Sequence, residues 1–282
     1  MFQQFLVIMA LSAAIYMLLA LGFTLIFGVM RVVNFAHGEF VMLGAYALYV
    51  VQDVLGVGYA AALPLAALVA GLVGVVCERL VFRRFVGDEI GSMIVALALA
   101  VTLKGAVTAV FGTDGPSIAR PISGVVTLGG AVIPKDQLFA AAVALVLVAL
   151  THRLLVATRL GLAMRAVAQD AEAARLQGMR PWTTYPAAFA VGCALAGFAG
   201  ALTAPIYGAA PDMGDAALMK AFVVVVLGGL GSIPGALIAA LLLGALDAGI
   251  SILFDPTLAA LASFGAVIAV LLFRPSGILG RA

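Results

Sequence analysis

Apolar residues follow one another in long runs along this chain, and short polar segments separate the runs. A helix of about 20 residues crosses the roughly 30 Å hydrocarbon core of a bilayer, so each long run predicts a membrane-spanning helix. We predict an all-α polytopic membrane protein in which residues 1–282 form a single transmembrane domain. The clear spans lie near residues 5–30, 32–51, 59–77, 90–111, 138–151, 184–206 and 257–273.

Residues 212–253 allow two interpretations. A single long helix gives one span fewer, whereas an additional crossing near 212–231 places Lys220 inside the membrane. The sequence "GGLGSIPG" at 228–235 favours the additional crossing, because four glycines and Pro234 interrupt a helical hydrogen-bond ladder. We therefore predict eight or nine spans with one broken or re-entrant element. Such a break is tolerated at membrane depth only where protein buries it or it lines a cavity.

Arginines are concentrated in a subset of the polar segments. The longest segment, residues 152–183, contains five of them: Arg153, Arg159, Arg165, Arg175 and Arg180. The positive-inside rule places this segment in the cytoplasm. Counting spans from it puts the basic residues 78–89 inside and residues 112–137 outside. The additional crossing then places Arg274 and Arg281 inside with the C-terminus.

The composition excludes an ordinary soluble domain. The chain is 65% hydrophobic and 10% charged, whereas a soluble domain is about 25% charged. Its first apolar run, Phe5 to Met30, exceeds the apolar core of about 7–15 residues found in a signal peptide, so it is predicted to be the first membrane helix. The net charge of +2 gives no indication of a nucleic-acid partner, and none is predicted.

Small residues recur at four-residue spacing in the span near 184–206. Gly192, Ala196 and Gly200 form one such stripe. Stripes of this kind let helices approach closely in lipid, so we favour helix packing over a ligand contact.

The polar sequence "NFAHGEF" at 34–40 interrupts two uncharged stretches. If the segment is helical, Asn34, His37 and Gly38 share one face, and Glu39 points about 200° away from His37. Two interpretations remain open. Asn34 could cap a helix that has Glu39 near its positive end, or these polar groups could face a pathway through the bundle. A metal site is disfavoured because no second ligand lies at helical spacing from His37.

The sequence "AEAARLQGM" at 171–179 lies in the basic segment and contains Glu172-Ala173-Ala174-x-x-x-Gly178. Its residues favour a helix that ends at Gly178, before Pro181. It is either a solvated surface helix or a helix that docks on a cytosolic partner through small residues.

The short Glu-Ala-Ala-x-x-x-Gly pattern resembles the cytoplasmic loop motif of ABC importer permeases. Further sequences occur in the same order along the chain: "NFAHGEF", "ERLVFRR" (78–84), "MRAVAQDAEAARLQGM" (164–179), "LAGFAGAL" (195–202), "MKAFVVVVLGGLGSIPGALIAALLLG" (219–244) and "RPSGILGR" (274–281). Together they resemble the branched-chain amino-acid ABC transporter permeases, specifically the shorter permease subunit type. The family usually has Pro after the first Arg of "ERLVFRR", and Arg or Arg-Ala where this chain has Leu162-Ala163.

The resemblance implies a multi-pass permease subunit in a bacterial inner membrane, with residues 152–183 as its cytoplasmic coupling loop. Its partners would be a second permease, cytosolic ATPase subunits, an extracytoplasmic substrate-binding protein and membrane lipid. The solute would be an aliphatic amino acid or a related small polar molecule such as an amide or urea. No enzymatic activity, metal or cofactor is expected, and the chain has no G-x-x-x-x-G-K-[ST] sequence for nucleotide binding.

Two groups of residues are predicted to carry this function. A solute with amino and carboxylate groups needs donors and acceptors along its path, and broken helices expose both. The predicted pathway residues are Asn34, His37, Gly38, Glu39, Lys220, Gly228, Gly229, Gly231 and Pro234. The predicted ATPase-coupling residues are Arg165, Gln169, Asp170, Glu172, Ala173, Ala174 and Gly178.

Two other functions compete with this one. A secondary transporter or channel without ATPase partners would couple ions through intramembrane carboxylates, for which Asp247 and Glu39 are the candidates. A membrane enzyme using His37 and Glu39 is disfavoured by their separation around a helix.

Overall fold

The computed structural model describes residues 2–128, 130–274 and 276–280, and its elements are mostly helices. The first five are α1 (Phe2–Met30), α2 (His37–Tyr49), α3 (Tyr59–Leu80), α4 (Glu89–Phe111) and α5 (Lys135–Ala157). The others are α6 (Arg159–Gln169), α7 (Ala171–Leu176), α8 (Pro181–Tyr207), α9 (Met213–Gly228), α10 (Ile233–Leu253) and α11 (Pro256–Phe273). A π-helical turn (Val50–Val54) extends α2, and a 3-10 turn (Phe82–Phe85) follows α3.

In the described part of the chain, six helices are long and apolar enough to cross a membrane, namely α1, α3, α4, α5, α8 and α10. This confirms a polytopic helical membrane protein. The helices α2, α9 and α11 are shorter, and a total of eight or nine spans requires them to be counted as well, so that number stays a prediction. Arg281, whose side of the membrane was also predicted, lies outside the described residues.

Helix α8 forms the centre of the bundle and packs against α1, α2 and α3. Its small residues permit this packing: Gly192 lies against the backbone of Gly22 in α1, and Gly200 lies against the carbonyl group of Val41 in α2. A Cβ atom at either glycine would overlap the neighbouring helix. The predicted stripe is therefore a helix-packing surface.

A small β-hairpin interrupts the helical architecture between α4 and α5, where no strand was predicted. Strands β1 (Val125–Leu128) and β2 (Ala131–Pro134) pair antiparallel, with Val126 opposite Ile133. The backbone N–H of Val132 donates to Gln4 Oε1 of α1 at 3.1 Å, so the hairpin lies near the start of α1.

Helices α6 and α7 form the connection between α5 and α8. Helix α6 buries Gly161, Met164 and Val167, which recur every three residues along one face. Asp170 caps α7, because its Oδ1 accepts hydrogen bonds from the N–H groups of Glu172 and Ala173. The predicted helix over the Glu-Ala-Ala sequence is therefore confirmed.

Candidate functional site

The chain reverses direction between α1 and α2 through an irregular segment, residues 31–36. Its backbone is hydrogen-bonded by two polar side chains. The N–H of Val33 donates to Ser92 Oγ of α4 at 3.2 Å, and the N–H of Ala36 donates to Asn34 Oδ1 at 3.0 Å. The span predicted near 32–51 therefore begins later, and the segment is a buried break of the kind tolerated only inside protein.

Asn34 does not cap α2, which was one of the two roles considered for it. Helix α2 begins at His37, and its N-cap residue is Ala36, which makes no side-chain capping bond. Because Asn34 precedes the helix, the condition under which it would share a helical face with His37 and Gly38 is not met. Its side chain instead stabilises the turn before α2, while its Nδ2 has no partner among the described residues. Glu39 does lie in the first turn of α2, as predicted.

His37 joins the start of α2 to the middle of α1. Its Nε2 lies 3.2 Å from the carbonyl oxygen of Leu19, and the ring packs edge-on against Phe23. A carbonyl oxygen only accepts, so Nε2 carries the hydrogen and Nδ1 of the neutral ring is an acceptor. That Nδ1 is fully buried and has no partner among the described residues.

The contact between His37 and Leu19 shows how far back along α1 the first residue of α2 lies. Leu19 precedes the end of α1, at Met30, by eleven residues. At about 1.5 Å per residue, α2 therefore starts roughly 16 Å back along α1 from its end. Helix α2 with its π-helical turn is thus a helix that begins inside the bundle, in the manner of the broken helices of transporters.

A second helix, α9, begins beside the start of α2. Gly38 lies against the carbonyl group of Gly214, and a Cβ atom on Gly38 would overlap it. The backbone N of Glu39 also borders Gly214. Glu39 itself is 3% exposed, and its Oε2 has no partner in the described part of the chain. The N-terminal, positive ends of two helices therefore meet at one point in the bundle.

Two charged residues that the sequence analysis did not consider lie next to this junction. Lys104 of α4 and Asp215 of α9 form an ion pair, with Nζ 2.6 Å from Oδ2. Asp215 directly follows Gly214, the residue that borders the backbone of Glu39. A lone lysine within the apolar 23-residue helix α4 was the signal that could have identified this site.

Lys220, a predicted pathway residue, is engaged in a polar network of its own. Its Nζ lies 2.6 Å from Asp247 Oδ2, and Asp247 also accepts hydrogen bonds from the hydroxyl groups of Tyr16 at 2.5 Å and Ser263 at 2.8 Å. The network ties together α1, α9, α10 and α11. Asp247, the other proposed ion-coupling carboxylate, is thus paired and hydrogen-bonded.

The "GGLGSIPG" segment forms the turn between α9 and α10, as predicted. Gly228 lies against the backbone of Gly235, and Gly231 (φ +80°) lies near Gly28 of α1. The N–H groups of Ile278 and Leu279 donate to the carbonyl oxygens of Leu227 and Gly228 at 2.9 and 3.1 Å. The "RPSGILGR" sequence, apart from Pro275 and Arg281, which lie outside the described residues, therefore packs on this turn.

The structure thus separates the predicted pathway residues into three places. Asn34, His37, Gly38 and Glu39 lie at the break before α2. Lys220 lies in the network around Asp247, and Gly228, Gly229, Gly231 and Pro234 lie in or beside the turn that packs against residues 276–280.

The predicted coupling residues differ in their accessibility. Glu172, Ala173 and Gly178 are exposed, whereas Ala174 is buried against the bundle. Gly178 ends α7 with φ +82°, in the left-handed region that favours glycine. Arg165 donates to the carbonyl oxygen of Val156 at 3.4 Å.

A cavity of about 320 Å³ lies between the predicted coupling segment (residues 164–180) and the break after α1. Gln169 and Asp170 line it on one side, and Met30 and Arg31 line it on the other. Arg31 has φ +52°, a left-handed conformation that is unusual for a residue other than glycine. The coupling segment therefore lies directly beside the turn that starts the reversal into α2.

Comparison with known proteins gives one consistent result. The chain is 34% identical to the "High-affinity branched-chain amino acid transport system permease protein BraD" of Pseudomonas aeruginosa, over 94% of this chain and 92% of BraD. It is 32% identical to the corresponding permease protein LivH of Escherichia coli, over 94% of this chain and 91% of LivH. The LivM permease protein of Escherichia coli is 31% identical, over 81% of this chain and 60% of LivM. No solved structure matches the chain.

The model of one protein family, "Branched-chain amino acid transport system / permease component", matches residues 5–273. This range includes the break before α2, the coupling segment and the turn between α9 and α10. The chain belongs to the family of permease components of branched-chain amino acid transport systems.

Proposed function

We propose that this chain is a membrane-spanning permease subunit of an ABC importer in a bacterial inner membrane. The solutes are branched-chain or other aliphatic amino acids, within a wider class that includes amides and urea. The chain pairs with a second permease, binds cytosolic ATPase subunits through residues 164–180 and receives its solute from an extracytoplasmic binding protein. ATP is hydrolysed on the separate subunits.

The buried break before α2 carries this proposal. Three side chains around it, those of Asn34, His37 and Glu39, each keep a buried polar atom without a partner among the described residues. Unpaired buried polar groups cost free energy, so a bundle retains them where water or a solute can satisfy them. The break therefore suits a pathway for a solute that carries both donors and acceptors.

The exposed surface of α7 supports ATPase binding. Glu172 and Arg175 are exposed, and Leu176 is 84% exposed although it is a large apolar residue. An apolar side chain beside charged residues on a cytoplasmic helix suits a protein partner. The shared cavity with Arg31 gives a direct route by which movement of this segment can reach the pathway.

The comparisons support a paired permease. The chain resembles both LivH and LivM of Escherichia coli, and it spans only 60% of LivM, which is the longer protein. Two related permease proteins of different length therefore exist in one organism. We infer that this chain, whose length matches LivH, pairs with a longer relative.

The alternative of an ion-coupled secondary transporter has less support. Asp247, one of its two candidate carboxylates, is held by Lys220 and by two hydroxyl groups. A carboxylate that binds and releases a coupling ion must be able to exchange partners, and this network opposes such exchange.

The proposal is tested by ATP hydrolysis in the assembled complex. The permease, its longer relative and the ATPase subunits are reconstituted together, and loaded binding proteins are added one solute at a time. Leucine, isoleucine or valine should stimulate ATP hydrolysis several-fold over the unloaded binding protein. Failure of the ATPase subunits to assemble with this chain would exclude an ABC importer. If only amides or urea stimulate ATP hydrolysis, the solute belongs to the wider class and is not a branched-chain amino acid.

A further inference from the structure

The ion pair between Lys104 and Asp215 lies in an unexpected place for exposed charges. Lys104 precedes the end of α4, at Phe111, by seven residues, which is about 10 Å along the helix. Its side chain is 36% exposed and that of Asp215 is 62% exposed. Charged groups at this depth are costly in hydrocarbon, so they face protein or a water-filled cavity. The surface that carries this pair is therefore not a lipid surface.

Helix α4 is covered by little of its own chain, which agrees with this conclusion. Only Ser92, Ala96 and Val107 are buried among its 23 residues. Lys104 thus lies on a helix whose free surface is available to a second permease subunit and to the passage between the two, and its ion-pair partner, Asp215, lies on α9.

Glu39 provides a second, independent indication of a ligand at this point. Its carboxylate is almost completely buried, yet Oε2 has no partner among the described residues. The backbone N of Glu39 borders Gly214, the residue before Asp215, which is the ion-pair partner of Lys104. A buried acceptor without a donor requires one from water or from a solute.

The cluster formed by Glu39, Lys104, Asp212 and Asp215 contains three acidic residues and one basic residue. The three acidic residues lie at the junction, namely Glu39 in the first turn of α2 and Asp212 and Asp215 at the start of α9, whereas Lys104 is the cation that pairs with Asp215. Within the described residues, neither Glu39 nor Asp212 has a cationic group within 4.0 Å. The positive ends of α2 and α9, where Gly38 meets Gly214, favour negative charge near this point. The cluster therefore complements a molecule with one positive and one negative end.

We propose that this cluster is a subsite that recognises the charged ends of a zwitterionic amino acid during its passage. The ammonium group of the solute binds Asp215 and Glu39, and its carboxylate binds Lys104. The inference rests on the proposed transport function and narrows it, because an uncharged amide or urea has neither charged end.

The test measures binding to the complete complex of permeases and ATPase subunits in nanodiscs, without the binding protein. The three probes are leucine, 4-methylpentanoate, which lacks the ammonium group, and leucinol, which lacks the carboxylate. Glu39→Gln and Asp215→Asn should weaken the binding of leucine and leucinol at least tenfold and leave the binding of 4-methylpentanoate unchanged. Lys104→Met should weaken the binding of leucine and 4-methylpentanoate at least tenfold and leave the binding of leucinol unchanged.

Arg120→Gln is the control, because Arg120 is another exposed cation in an ion pair, with the buried carboxylate of Asp136, and neither residue belongs to this cluster. It should bind all three probes as the unchanged complex does. Equal weakening of all three probes in the cluster variants would show a structural role and overturn the subsite. Unchanged leucine binding in those variants, or no leucine binding by the unchanged complex, would also overturn it. Uptake by the complete importer can succeed in any of these cases, so the proposed function is tested separately.

Discussion

At the scale of single residues, the ion pair between Lys220 and Asp247 gives a direct prediction. Lys220→Met or Asp247→Asn should each lower the free energy of unfolding by about 2–3 kcal/mol, because each leaves a charge or acceptor without its partner. The value is set below that of a fully buried pair because the side chain of Lys220 is 24% exposed and its charge is partly screened. Thermal unfolding in detergent measures the change.

The double variant Lys220→Met/Asp247→Asn is the control for that prediction. It removes both charges together, so it should be more stable than the sum of the two single changes. Additive losses would show that the two residues stabilise the bundle independently, and would contradict the network.

Single residues also show which parts of the site could be predicted. Glu39 at the first turn of α2 followed from local sequence, because acidic residues favour helix starts. The role of Asn34 did not, since its Oδ1 satisfies a backbone turn that depends on the reversal after α1. Asp215 was missed because its ion pair with Lys104 joins residues that are 111 positions apart, and no local pattern shows that contact.

At the scale of elements, the close contact between α2 and α9 predicts that a larger side chain at this contact destabilises the protein. Gly38→Ala should destabilise the protein by about 1–3 kcal/mol, because the added Cβ overlaps the carbonyl group of Gly214. Gly105→Ala is the matched control in α4, where no atom lies within 4 Å of the added Cβ. That change should be neutral or stabilising by about 0.5–1 kcal/mol through helix propensity. Comparable melting temperatures for both variants would contradict the close approach at Gly38.

Substitutions on the exposed surface of α7 should weaken ATPase binding without unfolding the protein. Glu172→Lys costs the isolated helix only a few tenths of a kcal/mol through repulsion with Arg175. Leu176→Ser removes an exposed side chain, so it should also leave stability almost unchanged. Both variants should nevertheless capture at least fivefold less ATPase in pull-down experiments. Capture equal to that of the unchanged chain would assign coupling to another cytoplasmic segment, with residues 78–89 as the remaining candidate.

The elements differ in how far their sequences determined them. The turn between α9 and α10 was predictable because glycine and proline interrupt a helix through local backbone geometry. The break at 31–36 contains neither residue, and its stability comes from distant partners such as Ser92. The packing of residues 276–280 on the turn after α9 likewise depends on long-range backbone hydrogen bonds that sequence alone does not reveal.

At the scale of the whole molecule, the distribution of arginines predicts the orientation in the membrane. A cysteine introduced at Gln177 or Thr183 should react with a membrane-impermeant thiol reagent only from the cytoplasmic side, and one at Ser123 only from outside. All three side chains are exposed. The native cysteines, Cys77 and Cys193, are buried and should contribute little background. Labelling of Gln177→Cys from outside would reverse the entire topology.

The central claim is that this chain forms part of an ATP-driven importer for aliphatic amino acids. The most direct measurement is uptake of radiolabelled leucine into proteoliposomes that contain this chain, its longer relative and the ATPase subunits, with the binding protein added outside. We predict accumulation that requires ATP inside the vesicles and disappears when this chain is omitted. Accumulation that persists without ATP, or that follows an ion gradient instead, would contradict the account.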